Sequence, residues 1–333
     1  TVVVWGSNFY GTSNIPSNLS CVKAISCSDF HIAALKDDGT IVAWGQNNNG
    51  QCNINPDLFG VRDISAGYYH SAALKEDGTI VIWGGNNHIN STIPDDLSKL
   101  YSVSGISAAN VHTVALKSDG TVSQIGYEFS PNNPINKPSD LKGVIAISTS
   151  IGNTAALTSD GTVVVWGEND RGQCNVPSGL KDIKSVSMGW DHVLALKNDG
   201  TVVAWGSNSY GQCSIPEDLN NVIAIASGGY TSFAIKADGS VISWGRNNCG
   251  QRNIPSNLKN VKAISANETY ALALKEDGTV TAWGYNNEGQ CNVPENLTGV
   301  KTIVAGDNHA LALKQDGTVV AWGSNNDDQC YVP

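Results

Sequence analysis

Residues 261–297 read VKAISANETYALALKEDGTVTAWGYNNEGQCNVPENL, and this one stretch decides the fold. Alternation of apolar and polar residues predicts four short strands. Strand A is VKAIS (261–265), B is ALALK (271–275), C is TVTAWG (279–284) and D is QCNVP (290–294). Asp277-Gly278 joins B to C, and an Asp-Gly pair between alternating apolar runs is the strongest short-range hairpin signal. Pro294 closes strand D, where a missing N–H costs least on an outer edge. No segment carries a helical period.

Working outward, the same phrase recurs. Trp-Gly stands at Trp5, Trp44, Trp83, Trp166, Trp205, Trp244, Trp283 and Trp322, with a degraded copy at Ile125-Gly126 in the one long gap. Asp-Gly occupies all eight B–C joins. Four-stranded units spaced by about 39 residues predict an all-β propeller, with strand A innermost and each unit a blade. The chain is read as one repeat domain over 1–333. Eight repeats fill 17–333, and residues 1–16 form an extra C–D half-repeat. Propellers often close by building one blade from both chain ends. We therefore expect eight blades, with the spare half docked on an edge, forming part of a ninth blade, or swapped into a second copy. A segment of a longer repeat array is the other reading. The repeated Trp is expected to fill the gap between blades, and the small residues of strand A to suit a crowded, wet axis.

Composition narrows the function. Twenty basic residues against 30 acidic ones give a net charge of −10, which disfavours nucleic acid and anionic membranes and favours a basic protein surface. No run of eighteen apolar residues exists. Of eight cysteines, Cys52, Cys174, Cys213, Cys291 and Cys330 share one repeat position. They should lie a whole repeat apart, beyond bridging reach, so all are read as free thiols in a reducing or anaerobic setting. Five of the six histidines, His31, His70, His112, His192 and His309, share the start of strand B. One per blade is too dispersed for a metal shell, and each is expected to orient its A–B loop through a hydrogen bond. No nucleophile elbow, zinc helix or phosphate loop is present. The chain is read as a non-enzyme without cofactor or metal.

The phrases G-x-x-H-x-x-A-L, D-G-T-V and A-W-G-x-N-x-x-G-Q recur in fixed order over essentially the whole chain. They resemble the regulator of chromosome condensation repeat family. Repeats of 39 residues ending in N-V-P or N-I-P look most like its bacterial short-repeat branch, which includes a propeller-type β-lactamase inhibitor. The resemblance implies an extracellular inhibitor of seven blades that grips its enzyme through aromatic loops; this chain has at least eight repeats. The eukaryotic branch implies nucleotide exchange on longer repeats with an inserted wedge, and no such insertion or basic arm is found here.

In such a meander, A–B and C–D loops share one end. Turns and P-x-x-L links at the opposite end are nearly uniform and read as scaffold. The variable end gathers Phe9, Tyr10, Phe30, Tyr68, Tyr69, Tyr127, Phe129, Trp190, Tyr210, Tyr230, Tyr270 and Tyr285, with acids including Asp29, Asp191 and Asp307. Aromatics on loops of a rigid scaffold suit protein docking. The expected activity is partner binding by this face, with Trp190, Tyr230, Tyr68, Tyr69 and Phe30 as anchors and Phe9, Tyr10, Tyr210 and Tyr285 around them. The alternatives are a β-lactamase inhibitor, a carbohydrate-binding propeller and a purely structural module. Asparagine in the C–D loops is read as serving positive-φ turns.

Overall fold

The computed structural model describes residues 16, 19–27, 31–67, 70–84, 103–108, 112–126, 137–306, 309–316 and 318–323. They form eight antiparallel three-stranded sheets in sequence order. We number them blades 1 to 8, over 22–45, 61–84, 103–126, 144–167, 183–206, 222–245, 261–284 and 300–323. In blade 7 the inner strand is Val261–Ala266, the middle Tyr270–Lys275 and the outer Val280–Gly284. Inner strands of consecutive blades from 1 to 8 lie against one another, which puts them nearest the axis. The spare half-repeat at 1–16 lies outside the described residues except for Pro16.

The expected strand D is not formed among the described residues; each blade has three strands. Its backbone groups are used locally instead. After the outer strand of blade 7, the Asn286 Oδ1 accepts the Cys291 N–H at 2.8 Å, and the Asn292 N–H donates to the Gly289 carbonyl at 2.9 Å. The Gln290 Oε1 accepts the Glu288 N–H at 3.1 Å, and the Cys291 thiol donates to the Tyr285 carbonyl at 3.2 Å. A segment so tied to itself, ending in a proline, has little left for a ladder. The loop asparagines therefore act through their side chains. The non-glycine residues at positive φ (Cys21, Asp182, Asn221, Asn260 and Asn296) fall in the links between blades.

The middle strand is buried on both faces, and its alternation divides it between two seams. In blade 7, Leu272 and Leu274 pack on Val300, Ala310, Ala312 and Trp322 of blade 8. Ala271 and Ala273 face Phe233 and Ile235 of blade 6, with Trp283 in the same cluster. In blade 7, large residues thus point to the following blade and small ones to the preceding blade, and the Trp of the outer strand fills the seam behind it. Its indole N–H is also spent there. Trp83, Trp205, Trp244 and Trp283 donate to the backbone carbonyls of Gln51, Gln173, Gln212 and Gln251 in the preceding blade, at 2.8 to 2.9 Å.

Nearer the axis, the expected wet serines make bonds between blades. The Oγ atoms of Ser26, Ser148 and Ser265 accept the N–H groups of Ala66, Met188 and Ala305 on the next inner strand. The histidines differ from expectation in the same way. They reach across a seam rather than toward their own loops, because the first middle-strand position points to the following blade. Nε2 of His31, His70, His112 and His192 meets the hydroxyl of Ser71, Thr113, Thr154 and Ser232, at 2.7, 2.5, 3.1 and 3.0 Å.

Candidate functional site

At the end of the molecule that carries the inner-to-middle and post-outer-strand loops, blades 5, 6 and 7 build one cluster. Trp190 follows the inner strand of blade 5, Ile183–Met188, and Tyr230 sits at the matching place in blade 6. Their rings meet edge to face, centroids 5.1 Å apart. Tyr210, from the loop after the outer strand of blade 5, lies against Tyr230 at 5.0 Å and is 47% exposed. The Arg246 guanidinium, from blade 6, stands 5.2 Å from the Tyr210 ring and 5.6 Å from the Tyr230 ring. Each such contact is worth about 0.5–1 kcal/mol at a partly exposed site. Arg246 is also paired with Glu268 of blade 7.

Backbone contacts hold the rings in place. The Trp190 N–H donates to the Gly229 carbonyl of blade 6 at 3.0 Å, and the Arg246 N–H to the Tyr230 carbonyl at 3.1 Å. Gly189 and Gly229 make this approach of loops sterically open. A Cβ on Gly189 would stand 2.1 Å from the His192 ring and 2.6 Å from the Gly229 oxygen, and one on Gly229 would stand 2.8 Å from Glu268. A glycine at both positions is what lets the two anchor loops touch.

Carboxylates rim the cluster. Burial pushes the Asp191 carboxyl up, with Arg171 acting against it. Burial also raises the Glu168 carboxyl, helped by the charges of Asp170 and Asp191. The Tyr230 phenol is raised by burial and then by Asp191 and Glu268, so both carboxylates bear on that ring. The result is an aromatic surface with one internally neutralised arginine, beside the group Glu168, Asp170 and Asp191.

Of the residues expected at this face, Trp190, Tyr230, Tyr210 and Asp191 come together. Tyr285 lies half-buried in the loop after the outer strand of blade 7, in the next blade along. Tyr270 is fully buried and belongs to the seam between blades 7 and 8, because it takes the position that histidine holds elsewhere and points across the seam. Phe9, Tyr10, Asp29, Phe30, Tyr68, Tyr69, Tyr127, Phe129 and Asp307 fall outside the described residues. Arg246, Glu268 and Glu168 are members the sequence reading missed. Arg246 carried a signal, as the basic residue directly after Trp-Gly where other copies have Gln46, Glu168, Ser207 or Tyr285. Among the described residues no three His, Cys, Asp or Glu side chains converge as metal ligands, and no helix is long and apolar enough to cross a membrane.

The family model of the regulator of chromosome condensation (RCC1) repeat matches seven stretches: 22–51, 61–89, 144–173, 183–212, 222–251, 261–290 and 300–329. Together they make up well over half of the chain. The chain belongs to the RCC1 repeat family. The unmatched copy is blade 3, where Ile125 replaces the seam tryptophan. Solved structures of similar fold share little sequence with this RCC1-repeat chain. Human WBSCR16 is 17% identical with a TM-score of 0.59, the match covering 88% of this chain and 87% of that one. The entire ectodomain of the Physcomitrella patens receptor kinase CR4 is 18% identical with a TM-score of 0.58, covering 79% and 73%. The computationally designed Ika8 protein is 18% identical with a TM-score of 0.56, covering 97% and 98%. With the eight sheets and the family match, these likenesses establish the all-β propeller of about eight blades. A search of curated protein sequences found no match.

Proposed function

We propose that this RCC1-repeat propeller is a non-enzymatic scaffold that binds a protein partner through the loop face of blades 5 to 7. The observation that carries the reading is the preformed Trp190–Tyr230–Tyr210 cluster, built from two blades and locked by backbone bonds. Rings held in place before docking lose little entropy on binding, and tryptophan and tyrosine are the residues most enriched among interface anchors. Glu168, Asp170 and Asp191 beside the rings favour a partner that offers lysine or arginine. The edge-to-face packing of Trp190 on Tyr230 gives no flat paired platform for a sugar ring, so a protein surface is preferred to a carbohydrate. A β-lactamase is one partner class consistent with the bacterial resemblance.

The test is selection of displayed peptides on the wild-type protein, alongside titration of a panel of class A β-lactamases. Binders should be rich in lysine or arginine and should weaken with added salt. They should lose at least about tenfold in affinity, or 1.4 kcal/mol, against Trp190→Ala. Binders that hold Trp190→Ala and Tyr230→Ala as tightly as the wild type would place the binding surface elsewhere.

A further inference from the structure

A pairing rule runs through the seams. From blade 1 to blade 7, register matches the first residue of each middle strand with the second residue of the next, and the four histidine–hydroxyl bonds and the Tyr270–Ala310 cluster show the match in contact. The pairs are His31–Ser71, His70–Thr113, His112–Thr154, Asn153–Val193, His192–Ser232, Thr231–Ala271 and Tyr270–Ala310. In these seven pairs, a histidine as first member meets a hydroxyl residue, and any other first member is matched with an apolar one. Asn153 and Thr231 turn back to their own blades, on the carbonyls of Glu168 and Arg246. The match follows from burial: an imidazole nitrogen facing valine or alanine in a dry seam would be left unpaired.

The hydroxyls also fix the proton. Ser71 donates to the Gln51 carbonyl at 3.0 Å and Ser232 to the Gln212 carbonyl at 2.8 Å, so each must accept from the histidine Nε2–H. These carbonyls are the ones that also receive the Trp83 and Trp244 indoles. Histidine, serine, carbonyl and tryptophan thus close one network over the seam between blades 1 and 2, and a second over that between blades 5 and 6. In this tautomer the ring is neutral, and a proton could be added only at Nδ1. The Nδ1 atoms of His70 and His192 are buried without a protein partner to accept from them.

We propose that the histidine–hydroxyl pairs are acid-released latches. Mild acid opens the seams 1/2, 2/3, 3/4 and 5/6, while 4/5, 6/7 and 7/8, built without histidine, hold. Burial is the first cause that holds the folded rings neutral, bringing His70, His112 and His192 down to about 4 and His31 to about 3. Neighbouring histidines add to this, His70 acting on His31 and His112 on His70. An opened seam returns its histidine to an ordinary value near 6.5. Between that value and the folded one, the open state binds a proton that the closed state refuses. Stability of each latched seam is therefore complete above pH 6.5 and falls about tenfold per pH unit down to the folded value.

Other charged groups near these seams are Asp191 and Glu168 beside blade 5, the Arg246–Glu268 pair beyond blade 6, and Asp63, Arg62 and Lys23 on the inner strands of blades 1 and 2. Asp191, Glu168 and Asp63 have raised carboxyls that take protons in the folded state first. Their effect opposes the histidines near the acid end of the window. The His192 ring of the 5/6 latch lies against Gly189, next to the Trp190–Gly229 backbone bond, so its release parts the Trp190 and Tyr230 loops.

The experiment is hydrogen exchange on the full chain between pH 7 and about pH 4.5, read as protection factors for each blade. The expected result is a loss of about fortyfold from pH 6.5 to 4.5 in blades 1 to 3 and at the 5/6 seam, with blade 7 unchanged. His192→Thr with Ser232→Ala imports the pair that already serves seam 6/7. It should abolish the pH dependence at 5/6 alone and leave that of blades 1 to 3. His192→Asn with Ser232→Val imports the 4/5 pair and replaces the first variant if that one fails to fold. Loss of protection in blade 7 parallel to blades 1 to 3, or unchanged pH dependence at 5/6 in the variant, overturns the proposal.

Discussion

Gly189 shows how much a single residue decides at this face. It is buried between the His192 ring and the Gly229 carbonyl, and no side chain fits there. Gly189→Ala is expected to lower stability by about 1–3 kcal/mol through overpacking, measured by urea denaturation. Gly179→Ala is the control, since a Cβ there meets nothing within 4 Å and only its positive φ is strained. Thiols are governed by their surroundings in a similar way. Burial raises Cys52, Cys174, Cys213 and Cys291 to about 11, and all four donate to loop carbonyls. They are structural donors, far from thiolate chemistry.

An asparagine-rich loop repeats after the outer strands of blades 1, 4, 5, 6 and 7. Its first asparagine does two jobs. Asn286 accepts the Cys291 N–H and donates to the Asn292 side chain at 2.9 Å, and Asn47, Asn169, Asn208 and Asn247 repeat the first contact at 2.8 to 2.9 Å. Asn286→Ala should cost about 1–2 kcal/mol in a denaturation curve, since it leaves a backbone donor without its partner. The loss should appear as faster exchange confined to 285–293, because a loop of this kind contributes little to the seams.

Across the whole molecule, acid should act twice. The latches respond first, between pH 6.5 and about 4, in the blades that carry them. The Asp-Gly turns respond later and everywhere. Asp38, Asp77, Asp119, Asp160, Asp199, Asp238, Asp277 and Asp316 are all held below the usual carboxylate value, mainly by hydrogen bonds from hydroxyl and N–H groups of the same turn. Their contribution is present above pH 3.8 and is lost as pH falls further. Circular dichroism against pH should show a second loss of structure below about pH 4 that includes blade 7. That loss should persist in the latch variants, since every blade carries the turn. Because the principal contacts among the described residues join each blade to its neighbours, the two steps can be separated in space as well as in pH.

Apolar alternation, the Asp-Gly joins and the Trp-Gly period determine strands A, B and C, the repeat and the propeller, since each is a local pattern with one physical reading. Trp190, Tyr210 and Tyr230 are equally legible, as large rings in loops that vary between copies. Strand D misleads because a short apolar run before proline looks like a strand until its own loop claims the N–H groups. Tyr270 is hard to place because a one-residue shift along a middle strand moves a side chain from loop to seam. Arg246 and Glu268 escape a reading of the chain alone because they meet only when blades 6 and 7 stand side by side. The sequence by itself determined the blade as a unit and its period along the chain. Only the tertiary structure decided which residues of neighbouring blades touch, because the seams join positions about 40 residues apart whose alignment is set by packing.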